Sequence, residues 1–561
     1  MDVLHNLAAR QLTRRRFLTS AAGVAGLSVA GLGGATRTLS AADLRSRRPV
    51  GSFLPDPQGD DLLRTIARTA IDAATAAGAT YADVRVADRH GLSLEEIGGL
   101  IQGFIEFDHS YGIRACVNGV WGFGYGTDPT PEGVREAAAA VVRSVAQLPA
   151  AFRRTGPVIA PAPVANGHWE TPVGIDPFVV SSDDHVAVIM AFRDAVGRVQ
   201  GAQLSPALRW EGETRVFASS EGSLVTQRLL RALPLLRAGM YTRDPTYFRE
   251  WFGDWSPSSV IGGASAGFEI TEGAALQEQF KAYAELRERW TRLPRVRHFP
   301  VGRYNTVFDG ETVGELVGQS LAPALSLGRA LGLAGDSQGI SVFTPIESYL
   351  GAAQFSPLLH VTADRSVPHL GAAKWDDEGV ATQSFDVIQK GAIKEYFGTR
   401  VTNATMRETN PSVAEMPLRG CAMTMSPLRE PIGISSSLRV NGPEHGPTFD
   451  ELVRQVNNGV VVMGGGYASM NESLSHGMLM PRVACEVKRG EISRLIISGG
   501  IQFSTKQVWK QLSALGGSTT TQSHMCNGMV GQPAMWHIMH TQAPAALFRD
   551  VSVIDLEQVA R

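Results

Sequence analysis

The residues of this chain best suited to chemistry are two glutamates at helical spacing and a histidine–cysteine pair near the C-terminus. Glu311 and Glu315 are four residues apart, so on a helix they lie on the same face. His524 and Cys526 are two apart, so on a strand they share one face. Carboxylate, imidazole and thiolate are the groups that bind zinc in proteins. These four residues are weak candidates for a metal site, because glutamates are common on exposed helices and the His–Cys pair lacks a third ligand.

The other groups of potentially reactive residues are interpreted as structural features and not as catalytic or binding sites. The chain contains no His-x-x-x-His, no His-Glu-x-x-His and no Gly-x-x-x-x-Gly-Lys-Ser/Thr loop. His537 and His540 are three residues apart, which sends their side chains to opposite faces of a strand. Residues 376–378 read Asp-Asp-Glu, which suits an acidic turn before a strand better than a calcium site. The three glycines at 464–466 predict a bend or bulge rather than a phosphate cradle.

Composition narrows the class of protein. The 561 residues include 43% hydrophobic and 19% charged residues, the balance of an ordinary globular chain with room for two to four domains. The net charge of −2 comes without a basic stripe, so nucleic acid is not an expected partner. The four cysteines are far apart and form no Cys-x-x-Cys pair, which argues against a zinc ribbon and leaves the disulfide state open.

The first 42 residues predict a twin-arginine signal peptide. Residues 13–18 read Thr-Arg-Arg-Arg-Phe-Leu and precede a weakly apolar run at 19–34 that is rich in Ala and Gly. This run is too short for a stable membrane span, although a basic patch beside a membrane anchor is the alternative. Cleavage near Ala41 or Ala42 would leave an exported, periplasmic or extracytoplasmic protein with no membrane span.

The helices and strands indicated by the sequence predict an α+β protein. Helical periodicity indicates helices at 60–77, 131–150 and 271–293, and alternation indicates strands at 81–86, 111–117 and 120–125. Short strands follow at 306–308, 341–343, 358–362, 384–388, 459–463, 482–488 and 495–499, with one helical stretch near 311–333. We therefore expect a linker at 43–59, an α/β N-terminal domain at 60–295, and a larger β-rich C-terminal domain with an embedded helix at 296–561.

Seven short segments in a fixed order carry a family resemblance. They are 77–85 (Ala-Gly-Ala-Thr-Tyr-Ala-Asp-Val-Arg), 112–114 (Gly-Ile-Arg), 119–123 (Gly-Val-Trp-Gly-Phe), 302–304 (Gly-Arg-Tyr), 376–379 (Asp-Asp-Glu-Gly), 464–466 (Gly-Gly-Gly) and 526–528 (Cys-Asn-Gly). Together they span nearly the whole chain after the signal peptide. In these segments the chain resembles the TldD/PmbA family, also described as modulators of DNA gyrase.

The resemblance implies both an architecture and a chemistry. It implies two-subunit assemblies enclosing a cavity that admits flexible peptides. It further implies that a helix of the TldD-type subunit carries His-Glu-x-x-x-His and that a later cysteine completes a zinc site. Two imidazoles about one helical turn apart can share the metal, and the glutamate can take a proton from metal-bound water. The PmbA-type subunit, also called TldE, lacks this motif.

The zinc motif is replaced in this chain. With strand 306–308 as anchor, the first histidine falls on Gly318, the glutamate on Gln319 and the second histidine on Pro323. None of these residues offers an imidazole ligand or a general base. Cys526 lies where the resemblance places the cysteine ligand.

Three hypotheses follow for the function. The leading one is a non-catalytic, TldE-like subunit with no cofactor, acting in the proteolysis of flexible peptides with a TldD-like metallopeptidase subunit. The second is an active zinc metallopeptidase whose ligands have moved to Cys526, His524, Glu311 or Glu315. The third is a stand-alone binding or scaffold protein that forms a homo-oligomer.

Overall fold

The structure is a computed structural model that describes residues 37–40, 57–148, 158–198, 202–240, 263–333, 339–366, 369–411, 413, 416–530 and 535–556. Of the predicted signal peptide and linker it covers only 37–40 and 57–59, and the rest of these two segments lies outside the described residues. None of the helices in the described ranges combines the length and the hydropathy that a membrane span requires.

The N-terminal half is built on a seven-stranded sheet, which we call the N-terminal sheet. Its strands are β1 (Arg37–Ser40), β2 (Tyr81–Ile97), β3 (Leu100–Val117), β4 (Val120–Gly126), β5 (Asn166–Glu170), β6 (Ala202–Ser219) and β7 (Leu224–Met240). They run in the order β1-β3-β2-β6-β7-β5, and β4 pairs with the end of β3. The helices of this half are α1 (Pro57–Ala76), α2 (Pro131–Ala146), α3 (Ser182–Val196) and α4 (Ala275–Thr291).

Two tight turns set the register of the first hairpins. Asn118 and Gly119 have positive φ values of 52° and 80°, which suits the two-residue turn predicted between β3 and β4. Gly98 and Gly99 likewise have positive φ and join β2 to β3, which pair residue for residue from Tyr81 to the turn. The predicted strand at 81–86 is thus the start of a strand almost three times longer.

The N-terminal sheet has one apolar face and one charged face. Val84, Ile113 and Val216 on the apolar face form a core with α1 and α2, whose apolar residues recur at helical spacing as predicted. Helices α3 and α4 cover a second core further along the same strands. On the neighbouring positions of the strands, where side chains point the other way, charged residues meet the C-terminal half of the chain.

The C-terminal half contains sixteen strands among its described residues. They are β8 (Arg295–Val296), β9 (Gly302–Phe308), β10 (Val361–Ala363), β11 (Phe385–Gln389), β12 (Ala392–Ile393), β13 (Ala422–Met423), β14 (Ile432–Gly433), β15 (Ser437–Val440), β16 (Asn458–Met470), β17 (His476–Lys488), β18 (Glu491–Ile496), β19 (Gly499–Ser504), β20 (Leu512–Leu515), β21 (Gln522–Val530), β22 (Met535–Ala543) and β23 (Ala546–Asp555).

These strands form two main sheets around one large core. The eight-stranded sheet runs β16-β9-β23-β19-β17-β18-β8, with β20 on β23, and closes on itself because β16 also pairs with β17. The six-stranded sheet runs β12-β11-β10-β15-β22-β21, and β13 and β14 pair separately. The large core includes residues from both sheets and from the helical segment after β9. The predicted α+β class, with an α/β N-terminal part and a larger β-rich C-terminal part, is confirmed.

The embedded helical stretch lies close to the predicted range of 311–333, but it is broken into short pieces. It comprises α5 (Gly310–Leu316), a π-turn at Val317–Leu321, α6 (Ala322–Ala324) and α7 (Leu327–Ala330), and the later helices are α8 (Arg400–Thr409), α9 (Phe449–Arg454) and α10 (Thr505–Lys510). In the π-turn the N–H of Ala322 bonds the carbonyl of Val317, five residues back. Pro323 explains this widening, since it lacks an N–H and its ring would collide with the carbonyl of Gln319 in a regular helix. The predicted strand at 341–343 is wrong, because these residues form a turn.

Candidate functional site

Helix α5 begins at a capped turn that ties it to the glycine bulge of β16. Asp309 is the N-cap residue, and its Oδ1 accepts hydrogen bonds from the backbone N–H and the hydroxyl of Thr312 at 2.9 and 2.6 Å. Its Oδ2 accepts the backbone N–H of Gly464 at 2.7 Å. The pairing of β16 with β17 shifts register between Met463 and Gly466, which confirms the predicted bulge. The start of the helix is therefore fixed on the eight-stranded sheet.

A stripe of three glycines brings the helical segment directly onto β21. Gly310, Gly314 and Gly318 recur every four residues, a rise of about 6 Å, which matches the two-residue repeat of about 6.6 Å along a strand. A β-carbon at Gly318 would lie 2.6 Å from Sγ and 2.8 Å from Cβ of Cys526, and one at Gly314 would lie 3.2 Å from Cβ of His524. The side chain of Cys526 thus fills the space into which a side chain at position 318 would project.

Glu315 is the centre of a buried polar cluster between the helix and β21. Its Oε2 accepts a hydrogen bond from Nε2 of His524 at 2.7 Å, and its Oε1 accepts one from Nε2 of Gln319 at 3.2 Å. Burial, followed by the charge of Glu315 and a hydrogen bond with it, raises the pKa of the Cys526 thiol well above its usual value. We call Glu315, Gln319, His524 and Cys526 the carboxylate–imidazole cluster.

Zinc is the metal that the resemblance implies at this position, and the residues present do not fit it. A zinc site needs three or four ligands, with cysteine as the thiolate. Nε2 of His524 is committed to Glu315, the raised pKa of Cys526 favours the protonated thiol, and Gly318 supplies no ligand. In the part of the chain that the structure describes, no group of three or more His, Cys, Asp or Glu side chains is arranged to hold a metal ion.

The structure brings together three of the four weak metal candidates. Glu315, His524 and Cys526 belong to the carboxylate–imidazole cluster, although Glu315 lies 209 residues before His524 in the sequence. Glu311 lies one helical turn earlier, where its Oε2 accepts a hydrogen bond from the Tyr283 hydroxyl of α4 at 3.3 Å. Its backbone N–H donates to the side chain of Gln522 at 3.2 Å.

Two features of the site were not predicted from the sequence. The glycine stripe was visible as a Gly-x-x-x-Gly-x-x-x-Gly spacing, which indicates close packing of a helix backbone. Met525, between the two cluster residues of β21, points away from them and packs on Leu233 and Leu235 of β7. The site strand therefore also contacts the N-terminal sheet, and no local pattern could have indicated that.

The sequence also contains a Gly-x-Ser-x-Gly motif that was not among the predicted sites. Residues 263–267 read Gly-Ala-Ser-Ala-Gly, the spacing of a nucleophile elbow. Ser265 is buried, and its hydroxyl donates to the backbone carbonyl of His369 at 2.6 Å. No strand–turn–helix element surrounds this serine in the described residues, so the segment lacks the geometry of an elbow.

His540 and the four cysteines are buried in the described residues. His540 stacks on His369 at a ring separation of 4.8 Å, and burial, with smaller contributions from His369 and His524, lowers the pKa of His540 to about 3. All four cysteines lie in the described ranges, and each is a buried free thiol.

The chain matches two models of one protein family. Residues 301–555 match the model described as the PmbA/TldA metallopeptidase C-terminal domain, and residues 82–145 match PmbA/TldA metallopeptidase domain 1. Together these segments cover more than half of the chain, and they include α5, β21 and the first hairpins.

Known proteins show the same relationship. A protein of Archaeoglobus fulgidus named metalloprotease is 21% identical over 433 residues, which is 77% of this chain and 90% of that protein. TldE from Thermococcus kodakarensis has a similar fold, with a TM-score of 0.65 at 16% identity over 87% of this chain and 99% of that one. A Bacteroides thetaiotaomicron protein described as a modulator of DNA gyrase has a TM-score of 0.62 at 16% identity, over 88% and 99% of the two chains.

Proposed function

The chain belongs to the TldD/PmbA metallopeptidase family, and from that premise we propose that it is the subunit of a peptidase complex that does not carry the catalytic metal. In this role it pairs with a TldD-like subunit that has an intact His-Glu-x-x-x-His motif. It helps to enclose flexible peptides while the partner cleaves them.

The observation that carries the proposal is the contact between Gly318 and Cys526. With strand 306–308 as anchor, the resemblance places the first histidine ligand at Gly318, and a β-carbon there would lie 2.6 Å from the sulfur of Cys526. Real side chains do not approach so closely, so the helix and β21 are packed too tightly for a ligand at this position. The loss of the motif is thus accompanied by packing that fills the position of its first ligand.

Co-expression with a TldD-like subunit tests the proposal. We expect the two chains to co-purify and to cleave unstructured peptides, with activity lost when the partner's motif glutamate is replaced by glutamine. Gln319→Ala in this chain should leave the turnover rate of the complex unchanged, because Gln319 is proposed to have no catalytic role. Peptidase activity of this chain alone, abolished by chelator, would contradict the proposal.

A second function is favoured by one specific observation. Glu315, His524 and Cys526 converge, and these three side-chain types could bind zinc if the hydrogen bond between Nε2 of His524 and Glu315 were broken. An active enzyme of this kind should contain about one zinc per chain. Its zinc should be lost in Cys526→Ala and in His524→Ala but retained in Glu132→Ala, a surface variant far from β21.

We further propose that the protein acts outside the cytoplasm. The twin-arginine pattern at 13–18 supports this, and it lies outside the described residues. Fractionation of cells producing the full chain should find it in the periplasm, and Arg14→Lys/Arg15→Lys/Arg16→Lys should retain it in the cytoplasm. Equal distribution of the two forms would contradict export by this route.

A further inference from the structure

The charged face of the N-terminal sheet carries a dense set of buried ionic side chains. Alternation places Asp83 and Arg85 of β2, Arg114 of β3, and Glu213 and Arg215 of β6 on this face. All five side chains are at most 9% exposed. Charges are rarely buried unless they are paired, so this face needs partners from another part of the chain.

The partners come from the acidic turn at 376–378 of the C-terminal half. Asp376 shapes this turn, because its Oδ1 accepts the backbone N–H groups of Glu378 and Val380 at 2.9 Å each. Its Oδ2 accepts the backbone N–H of Ala422 at 2.9 Å, which ties the turn to β13. With Asp376 used in this way, the carboxylates of Asp377 and Glu378 are directed at the N-terminal sheet.

Two arginines each join a carboxylate of the sheet to a carboxylate of the turn. Nη2 of Arg114 lies 2.5 Å from Oδ2 of Asp83 and 2.8 Å from Oε1 of Glu378. Nη2 of Arg215 lies 2.8 Å from Oε2 of Glu213, while its Nη1 bonds Oδ1 of Asp377. We call these six residues, Asp83, Arg114, Glu213, Arg215, Asp377 and Glu378, the acid–arginine network.

Further contacts fix the acid–arginine network from both sides. Glu378 Oε2 accepts the backbone N–H of Arg400 at 2.5 Å, at the start of α8. The Tyr81 hydroxyl donates to Asp83 at 3.1 Å, and Trp121 lies 5.4 Å from the Arg114 guanidinium. Each carboxylate therefore has several donors, which is the condition under which buried ion pairs are stable.

From these contacts we propose that the acidic turn is a docking element that locks the N-terminal sheet and the C-terminal half into one cooperative unit. The three segments that meet here, 77–85, 112–114 and 376–379, are also segments that carry the family resemblance. Their residues are thus assigned to the mutual position of the two halves and not to chemistry. Through Met525, the same docking fixes β21 against β7.

The docking role can be tested on this chain alone, without a partner subunit. Differential scanning calorimetry of the wild-type chain should show one cooperative transition. In Glu378→Gln and in Arg114→Met, the N-terminal part should melt at a lower temperature than the rest, so that the single transition separates into two. The double variant should lie closer to the wild type than the sum of the two single shifts, because neither partner is then left unpaired.

A matched control uses an exposed pair of the same chemistry. Arg135 and Glu132 on α2 are 52% and 72% exposed and form an ion pair one helical turn apart. Glu132→Gln should leave the single transition and its midpoint unchanged, because exposed pairs contribute little. A single, unshifted transition in Glu378→Gln, equal to that in Glu132→Gln, would overturn the docking role.

Native-state hydrogen exchange of the wild-type chain covers the case in which a variant does not fold. If the halves are locked, amides of β2, β3 and the acidic turn should exchange through openings with the same free energy and the same dependence on denaturant. A separate, lower-energy opening of β2 and β3 would overturn the proposal. Neither measurement involves metal or peptidase activity, so failure here is distinguishable from failure of the proposed function.

Discussion

The carboxylate–imidazole cluster and the acid–arginine network are both buried and ionic, yet they differ in what they retain of the family. The network uses residues from segments that carry the family resemblance, including Asp83, Arg114 and Glu378. The cluster lies where the resemblance places the zinc motif, and there Gly318 and Gln319 stand at the positions of the first histidine and the glutamate. The resemblance is thus carried by residues that join the two halves of the chain and is missing at the motif positions.

The two regions also differ in how their charges are balanced. In the network, each arginine bridges two carboxylates, so removing one arginine takes a cationic partner from both. In the cluster, Glu315 contacts the imidazole of His524, the amide of Gln319 and the thiol of Cys526, and the packing of the glycine stripe supplies the rest of the support. We therefore expect the larger effects on stability in the network.

Removal of Arg114 should have the largest effect. Arg114→Met leaves Asp83 and Glu378 buried without their shared partner, and breaking a buried ion pair costs about 3–5 kcal/mol. Urea unfolding of the mature chain should show this loss in the free energy of unfolding. Glu132→Gln, at an exposed pair, should change it by about 0.5 kcal/mol or less. Equal effects in the two variants would remove the distinction between a buried network and a surface pair.

Removal of His524 should have the next largest effect. His524→Phe keeps a planar ring at this position, although a larger one, and leaves the carboxylate of Glu315 without its 2.7 Å partner. We expect a loss of about 3 kcal/mol in the free energy of unfolding, since an unpaired buried charge is costly. The paired change Glu315→Leu/His524→Phe should recover part of this loss. No recovery in the double variant would show that the two residues do not depend on each other.

Acid should weaken the network through Glu213. Burial alone would raise the pKa of this carboxyl, but Arg215, Arg89 and Arg231 lower it from 4.5 to about 2. A lowered folded-state pKa stabilises the protein above the unfolded value, and that stability is lost as pH falls from about 4.5 through 2. Denaturant midpoints measured across this range should fall more steeply in the wild type than in Glu213→Gln. Parallel curves for the two proteins would contradict this assignment.

Adding one methyl group to the glycine stripe should have the smallest of these effects. Gly318→Ala places a β-carbon 2.6 Å from Sγ of Cys526, and overpacking of this kind costs about 1–3 kcal/mol. Removing the sulfur with Cys526→Ala should make the same substitution less costly. A cost of Gly318→Ala that is independent of Cys526 would mean that the helix does not press on β21 here.

Local structure could be predicted from the sequence wherever the pattern is local. The Asn118-Gly119 turn and the periodicity of α1 were sufficient, because turn geometry and helical spacing depend on near neighbours. The continuation of β2 beyond 86 was not predicted, because Asp88 and Arg89 look like loop residues. They are accommodated in a strand because Arg89 pairs with Glu213, 124 residues away.

The two polar clusters show the same limit. Glu315, His524 and Cys526 could be named as metal-ligand candidates from residue type and spacing. They come together only because α5 packs on β21 in the folded chain. The acidic turn at 376–378 was predicted as a turn, and its pairing with Arg114 and Arg215 could not be, since those arginines lie in another sheet. Sequence spacing therefore indicated which residues could react, and tertiary packing decided that Glu315 binds His524.

The metal content of the folded chain is the sharpest test of whether the protein carries a catalytic metal. The protein would be purified without chelator and measured by inductively coupled plasma mass spectrometry, beside the variant Cys526→Ala. We expect no stoichiometric zinc in either protein, because Gly318 supplies no ligand and Nε2 of His524 is hydrogen-bonded to Glu315. Near-stoichiometric zinc in the wild type that is lost in Cys526→Ala would contradict the non-catalytic role and establish a rearranged metal site.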